Sequence, residues 1–442
     1  MTMMTMRTNT VALCLGAMLV VGEAVDAQAG PPPTEAMASI TLEDAVRIAI
    51  RRSPVMAQSD QAVGNAEEAR RSAWGAFLPS LSMNSGASLR STSQFDPGTN
   101  RIVAGSSDSY NAGLSASIDV FNGGARFDEM ARSRAGIVAA EARRESQRFS
   151  VTLQTKSFFF QALEQQDLLE VARRRIDQAE QSLELTRRLA LAGEATRSDT
   201  LRARLELVNA RQSVLTAETQ TRAAHFSLGR QVGLSEPVLP EAPANLDPTP
   251  LQLTAEEILD ISEQQSPTVI AAEEAARAST AGVKAAQSAF LPSFRLGGGY
   301  TWANRDRSFS GGDLSWSTNL SMSYNIFNRF SREASIARAS YTDRVTRFQE
   351  EDARLAARQE ADGALRSLTT AEQAIAIARE AVTVAEEDLR VILERYGLGV
   401  AIILDVITSQ INVDQASVDL VRTRYDYLIA RAQLESILGR EL

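Results

Sequence analysis

The sequence is poor in the residues that carry most solution chemistry. It holds one His and one Cys in 442 residues. Metal sites built on His and Cys, thiol chemistry and His-based acid–base catalysis have almost nothing to work with. His225, in Ala223-Ala224-His225-Phe226, has no second His and reads as a packing or surface residue. Aromatics are 6% of the chain, with 25 Gly and 13 Pro. That composition suits long helices better than a thick globular core. Cations are outnumbered: 46 Lys+Arg against 55 Asp+Glu give a net charge of -9. A nucleic-acid binder normally shows a basic footprint, so that class is excluded. Beyond the N-terminus no apolar run reaches 18 residues, so no transmembrane helix is expected. No G-x-x-x-x-G-K-[ST] run is present, so energy must come from elsewhere. No catalytic residue, metal or cofactor is expected.

Residues 1–29 read as a signal peptide. Arg7 precedes an apolar run from Val11 to Val21, and Ala27-Gln28-Ala29 fits cleavage after Ala29 or after Ala27. Cys14 lies inside that run, so the exported chain would hold no disulfide. Packing or oligomerisation must then supply its stability.

The remainder is an internal duplication. Ser53-Pro54 recurs as Ser266-Pro267, and Ala76-Phe77-Leu78-Pro79-Ser80 as Ala289-Phe290-Leu291-Pro292-Ser293. Phe121-Asn122, Gly193, Asp199 and Gly233 recur as Phe327-Asn328, Gly399, Asp405 and Gly439, in a register shorter by seven residues. The change falls between two strand candidates in each half, where 91–109 and 304–315 read as surface loops. Residues 30–233 form the first repeat and 253–442 the second. Residues 234–252, with Pro237, Pro240, Pro243, Pro248 and Pro250, read as an extended linker.

Each half reads helix, strand, loop, strand, long helix, turn, helix. The first helix stops at Leu78-Pro79 or Leu291-Pro292, where proline pushes the preceding residue to extended geometry. Pro79 and Pro292 are thus helix-to-strand hinges. Apolar residues then alternate with small polar ones: Leu81, Met83, Ala87, Leu89; Tyr110 to Val120; Phe294, Leu296, Tyr300, Trp302; Trp316 to Ile326. Strict alternation argues strand. Apolar and polar faces with aromatics near the ends fit transmembrane β-strands, although a half-buried soluble sheet shares the alternation. Four strands cannot close a barrel in lipid, so several copies must pool them. Two copies give eight strands and three give twelve; the alternation does not choose.

Residues 125–192 and 331–398 are proline-free and rich in Ala, Glu, Arg, Gln and Leu. At ~1.5 Å per residue each spans roughly 100 Å as a helix. Gly-containing turns return the chain through helices over 198–229 and 404–438.

The ordered set resembles the outer-membrane efflux protein (TolC-like) family. It comprises the two-fold repeat, Leu-Pro-Ser entering a strand, Phe-Asn closing one, and the tips Ala192-Gly193-Glu194-Ala195-Thr196-Arg197-Ser198-Asp199 and Tyr396-Gly397-Leu398-Gly399-Val400. It runs over about residues 40–442, through Tyr425-Asp426-Tyr427 to Leu438-Gly439. The resemblance implies a mainly helical chain whose four strands join a trimeric 12-stranded barrel above a periplasmic helical tunnel. It implies an outer-membrane exit duct of a Gram-negative-type envelope, extending into the periplasm. Its partners would be two further copies, outer-membrane lipid, a periplasmic adaptor and an inner-membrane transporter. Protein secretion of type I is the alternative cargo reading, and a non-pore coiled-coil protein the alternative class.

The expected functional positions lie at the far end of the hairpins. Gly193, Glu194, Gly397 and Gly399 would form the adaptor-contact tip, although any tight turn also requires glycine. Asp405 would repeat as a ring of carboxylates and favour cations at a constriction; it also reads as a helix-start acid. Asp199 reads as a capping residue or as a partner of Tyr396 in holding the entrance closed. The family's second acid falls on Thr408 and its basic residue after the second tip glycine on Ala401, so a closing cation would have to be Arg197 or Arg395.

Overall fold

The computed structural model describes residues 39–98, 100–243, 247–304 and 311–442. The expected signal peptide lies outside the described residues. Each repeat opens with two helices, where one was expected. α1 (Leu42–Arg52) and α2 (Pro54–Gly75) break at Ser53-Pro54, and α5 (Ala255–Gln265) and α6 (Pro267–Gln287) at Ser266-Pro267. Proline holds the preceding serine extended and itself fits the first helical position. The repeated Ser-Pro motif is therefore a helix break.

The segment expected as a linker is tied into the fold. β1 (Ser39–Ile40) pairs in parallel with β4 (Leu239–Pro240), which lies inside it. Tyr427 Oη donates to the Thr249 carbonyl and accepts from its N–H, at 3.1 and 3.2 Å.

The membrane candidates form one antiparallel sheet. β2 (Ser80–Asp96), β3 (Arg101–Asn122), β5 (Ser293–Asn304) and β6 (Asp313–Ser323) lie side by side in that order. Pro79 and Pro292 directly precede β2 and β5. Two expectations need correction. Residues 91–109 are not a loop: β2 and β3 stay paired through them, and the chain turns only between Asp96 and Arg101. Thr, Phe, Ile and Val there suit strand, but interspersed Ser and Gln hid the alternation. Likewise the loop expected over 304–315 is shorter, because β5 includes Asn304 and β6 starts at Asp313; residues 305–310 lie outside the described residues. At its other end β6 stops at Ser323, short of Ile326. Ser323 pairs with Ser293, the first residue of β5, so the ladder has no partner beyond it.

The register gathers the apolar residues on one face. Leu81 and Met83 meet Ala116 and Leu114; Leu114 meets Tyr300; Tyr300 meets Trp316; Leu296 meets Leu320. This face is uncovered, with Met83 79% and Trp316 74% exposed. From Phe294 to Trp302 it rises about 27 Å at ~3.4 Å per residue, close to the apolar band of a membrane barrel. The opposite face is small and polar: Ser80 meets Ser117, Ser82 meets Ser115, Gly297 meets Asn319. There Arg295 Nε pairs with Asp119 Oδ1 at 2.6 Å.

The long helices are α3 (Ala125–Ala192), α4 (Arg197–Gln231), α7 (Ser331–Gly397) and α8 (Ile403–Leu438). α4 packs on α3, α3 on α8, and α8 on α7. Nearer the sheet the row is α2, α3, α6, α7. Phe159, Leu163, Leu228 and Tyr425 are buried in the core where α1, α3, α4 and α8 meet. Sheet and helix rows therefore have free ends made of different repeats: β2, α2 and α4 from the first, β6 and α7 from the second.

Candidate functional site at the hairpin tips

The two tips close with the same backbone motif. At the first, Glu194 N–H donates to Leu189 C=O (2.9 Å) and Gly193 N–H to Ala190 C=O (3.2 Å). At the second, Val400 N–H donates to Arg395 C=O (2.9 Å) and Gly399 N–H to Tyr396 C=O (3.0 Å). Gly193 (φ 83) and Gly399 (φ 71) take the left-handed conformation that this ending requires. Gly397 is different: it is the last helical residue of α7. Gly193, Glu194, Gly397 and Gly399 are all exposed. So are Leu191 (90%), Leu398 (79%), Val400 and Ile402, an uncovered apolar rim.

The tips differ where the return helices begin. Thr196 and Asp199 form a reciprocal capping box on α4. Asp199 N–H donates to Thr196 Oγ1 (3.2 Å), and Asp199 Oδ2 accepts from Thr196 N–H (2.9 Å) and Oγ1–H (2.7 Å). These bonds hold the Asp199 carboxyl below the usual range. The repeat equivalent of Thr196 is Ile402, which has no side-chain acceptor. There only one half of the box survives: Ile402 N–H donates to Asp405 Oδ2 at 3.2 Å. Asp405 is exposed at the start of α8.

Tyr396 does not bond Asp199. The capping box occupies that carboxylate, and Tyr396 Oη donates instead to Thr186 Oγ1 on α3 (3.2 Å). Tyr396 is 5% exposed; burial, and secondarily the nearby Asp199 charge, push its phenol up. Tyr396 packs with Leu183, Leu207, Ile403 and Val406, which joins the two hairpins by apolar contact. Neither Arg197 nor Arg395 closes an ion pair across the tip among the described residues.

Sequence reasoning missed a polar seam between α3 and α8. Gln410 Nε2 donates to Ser182 Oγ (2.6 Å), Arg175 Nε lies 3.2 Å from Asp414 Oδ2, Tyr425 Oη donates to Asp167 Oδ2 (2.7 Å), and Lys156 Nζ pairs with Glu435 (2.5 Å). Polar residues interrupting the apolar stripes at these positions were the available signal.

His225 is buried, with Nε2 3.0 Å from Gln166 Nε2, and burial lowers its pKa. Among the described residues no three His, Cys, Asp or Glu are placed to hold a metal, and no helix is long and apolar enough to cross a membrane.

The comparisons agree with this architecture. The model of the outer membrane efflux protein family matches residues 45–234 and 258–440, one stretch in each repeat. The toluene efflux pump outer membrane protein TtgC and the antibiotic efflux pump outer membrane protein ArpC, both of Pseudomonas putida, are each 25% identical over 311 residues. Those matches span 68% of this chain and 63% of the relatives. The crystal structure of the Campylobacter jejuni CmeC outer membrane channel superposes with a TM-score of 0.78 at 17% identity, over 90% of this chain and 85% of CmeC. The family model covers most of the chain and follows its duplication: the protein belongs to the outer membrane efflux protein family.

Proposed function

We propose that three copies of this chain form the outer-membrane exit duct of a tripartite efflux pump. The observation that carries it is the sheet, apolar and uncovered on one face, polar on the other, and open at both β2 and β6. An open edge in lipid leaves unpaired N–H and C=O groups at several kcal/mol each. Pairing β6 of one copy with β2 of the next is a head-to-tail contact that can close a ring. The same operation brings α7 against α2 and α4. Exposed apolar residues at helical spacing, Leu201, Leu205 and Val208 on α4 and Ile377, Val384 and Val391 on α7, support that contact. Two copies would give eight strands, whose interior side chains fill; three give twelve and leave a lumen.

The helical end then reaches into the periplasm, and its apolar rim suits the adaptor through which an inner-membrane transporter delivers cargo. Such a duct needs no catalytic centre and no cofactor. Small organic molecules are the cargo reading, supported by the toluene and antibiotic named for the relatives. Asp405 is the gate residue of this reading: threefold repetition makes it a carboxylate ring that favours cations.

The test is the mass of the detergent-purified protein together with its conductance in a planar bilayer. A three-chain particle with a small, cation-preferring conductance is expected. Asp405→Asn keeps an acceptor for Ile402 N–H and should reduce the cation preference. A water-soluble, non-trimeric rod without conductance refutes the duct, and unchanged selectivity refutes the Asp405 ring.

A further inference from the structure

The α3–α8 seam contains one rung whose charges do not balance. Arg175 of α3 faces two carboxylates, Glu206 of α4 and Asp414 of α8. Its fork is committed to Glu206: Nε–H and an Nη2–H both donate to Glu206 Oε1, at 3.2 and 2.6 Å. Asp414 Oδ2 lies 3.2 Å from the same Nε, yet it is buried and receives no hydrogen bond. The three side chains are only 27%, 13% and 15% exposed. On α7, which also packs on α8, Glu380, Glu386 and Asp388 are exposed, and Asp388 accepts from Ser409. One cation therefore serves two half-buried acids at the place where the first hairpin (α3, α4) meets the second (α7, α8).

We propose that Arg175, Glu206 and Asp414 form a proton-operated catch on this seam, which holds the two hairpins together when Asp414 is protonated and loosens when it ionises. This rests on reading the hairpin tips as the entrance of a duct. A buried carboxylate oxygen without a donor is costly as an anion and much less so as an acid. Burial, opposed by Arg175 and reinforced by Glu206, pushes the Asp414 carboxyl up to about 6. Protonation leaves a matched Arg175–Glu206 pair beside a neutral group. The sign follows from linkage. Separating α8 from α3 exposes Asp414 to water and returns its pKa toward the ordinary value of 3.8. Opening thus releases a proton, so rising pH favours the open form between about 4 and 6. The full span is on the order of a hundredfold per protomer in the open-to-closed ratio.

The experiment places spin labels on the exposed tip residues, in a Leu191→Cys/Leu398→Cys version of the full chain. Cys14 is the sole native cysteine and lies in the segment read as a signal peptide, so the labels are the only thiols of the processed protein. Distances between labels are compared at pH 4.5 and 7.5. A longer, broader distribution at pH 7.5 is expected. Asp414→Asn should fix the pH 4.5 distribution at both values. Glu206→Gln frees Arg175 for Asp414 and should move the response to lower pH, which decides the matter if the first variant folds poorly. Asp405→Asn should leave the response intact. A distribution indifferent to pH, or a response that survives in Asp414→Asn or vanishes in Asp405→Asn, overturns the catch. Bilayer conductance measured beside it judges the duct separately: its absence would refute the channel while the label distances still decide the catch.

Discussion

The strand-to-helix junctions give the sharpest stability prediction, because the two repeats solve one geometry with different residues. After β3 the chain passes through Gly123 (φ 69) and Gly124 (φ 90); after β6 the equivalent residues are Arg329 (φ 57) and Phe330 (φ 61). The surroundings match. Arg126 and Arg332 donate to the carbonyls of Val120 (2.9 Å) and Ile326 (3.3 Å), and stack on Phe77 and Phe290 at 4.8 and 4.6 Å. A non-glycine residue in this region costs roughly 1–2 kcal/mol. Arg329→Gly recovers that and loses about 0.5–1 kcal/mol to the greater freedom of the unfolded chain. A net gain of about 0.5–1 kcal/mol is expected. Phe330→Gly should be near neutral, since it also gives up the edge-to-face contact with Phe327 (5.5 Å), a pair worth about 0.5–1.5 kcal/mol. In the first repeat the reverse change is graded. Gly124→Ala meets nothing within 4 Å and should lose about 0.5–1 kcal/mol net, the conformational ~1–2 kcal/mol less the ~0.5–1 kcal/mol gained from a less free unfolded chain. At Gly123 a Cβ would stand 2.4 Å from the Ser288 carbonyl oxygen and 3.0 Å from Leu291 Cβ. Overpacking of about 1–3 kcal/mol then adds to the net strain, for a loss of about 1.5–4 kcal/mol. Denaturant unfolding in detergent, followed by helical circular dichroism, measures all four. Equal tolerance of Gly123→Ala and Gly124→Ala, or a destabilised Arg329→Gly, would refute backbone strain and close packing as what distinguishes the two junctions.

Three further outcomes follow from the same geometry. His225 has a lowered pKa, so its contribution is complete above about 6.5 and is lost as pH falls toward its folded value; the decline in thermal midpoint between pH 7.5 and 6 should shrink in His225→Leu. At the first tip, Thr196→Ala removes half of the capping box and should cost about 1 kcal/mol; amide exchange should quicken over residues 197–200. The converse, Ile402→Thr, supplies the hydroxyl missing at an extended N-cap position (φ -105, ψ 158) and should slow exchange at the start of α8.

The long helices were legible because helix formers run unbroken between glycine turns. α3 begins and ends where composition placed it, and α7 ends one residue early because Leu398 is already outside the helix. The sheet was legible only where apolar and polar residues alternate strictly; at 91–109 the many Ser, Gln and Asp residues break that alternation in the sequence and concealed a continuing ladder. The Ser-Pro motif was visible as a repeat, but its meaning as a break came with the dihedral angles of Ser53 and Ser266. Asp199 and Tyr396 show the limit for the site. Both lie near the tip, but the pairing depends on which acceptor each group reaches first. Thr196 is three residues from Asp199, and a local bond of that kind forms with little ordering cost. Thr186 is 210 residues from Tyr396, and only the packing of both α3 and α7 on α8 brings the two together.

Duplication has left the second hairpin less securely fastened at both ends. At the sheet, its helix starts from two strained non-glycine residues, where the first repeat has two glycines. At the tip, its return helix begins at Ile402 without a side-chain cap, where the first has a complete Thr196–Asp199 box. Between those ends its α8 is held to α3 by four polar rungs, one of which carries a buried carboxylate oxygen that receives no hydrogen bond. Local openings draw on the least stable unit available. On the duct reading proposed above, the second hairpin, α7 and α8, is the one expected to open first. The acid at the second tip, Asp405, supports the start of its own helix by accepting from Ile402 N–H; on the duct reading proposed above it would also offer its charge to whatever passes. Removing its charge while keeping its acceptor is what separates the two roles.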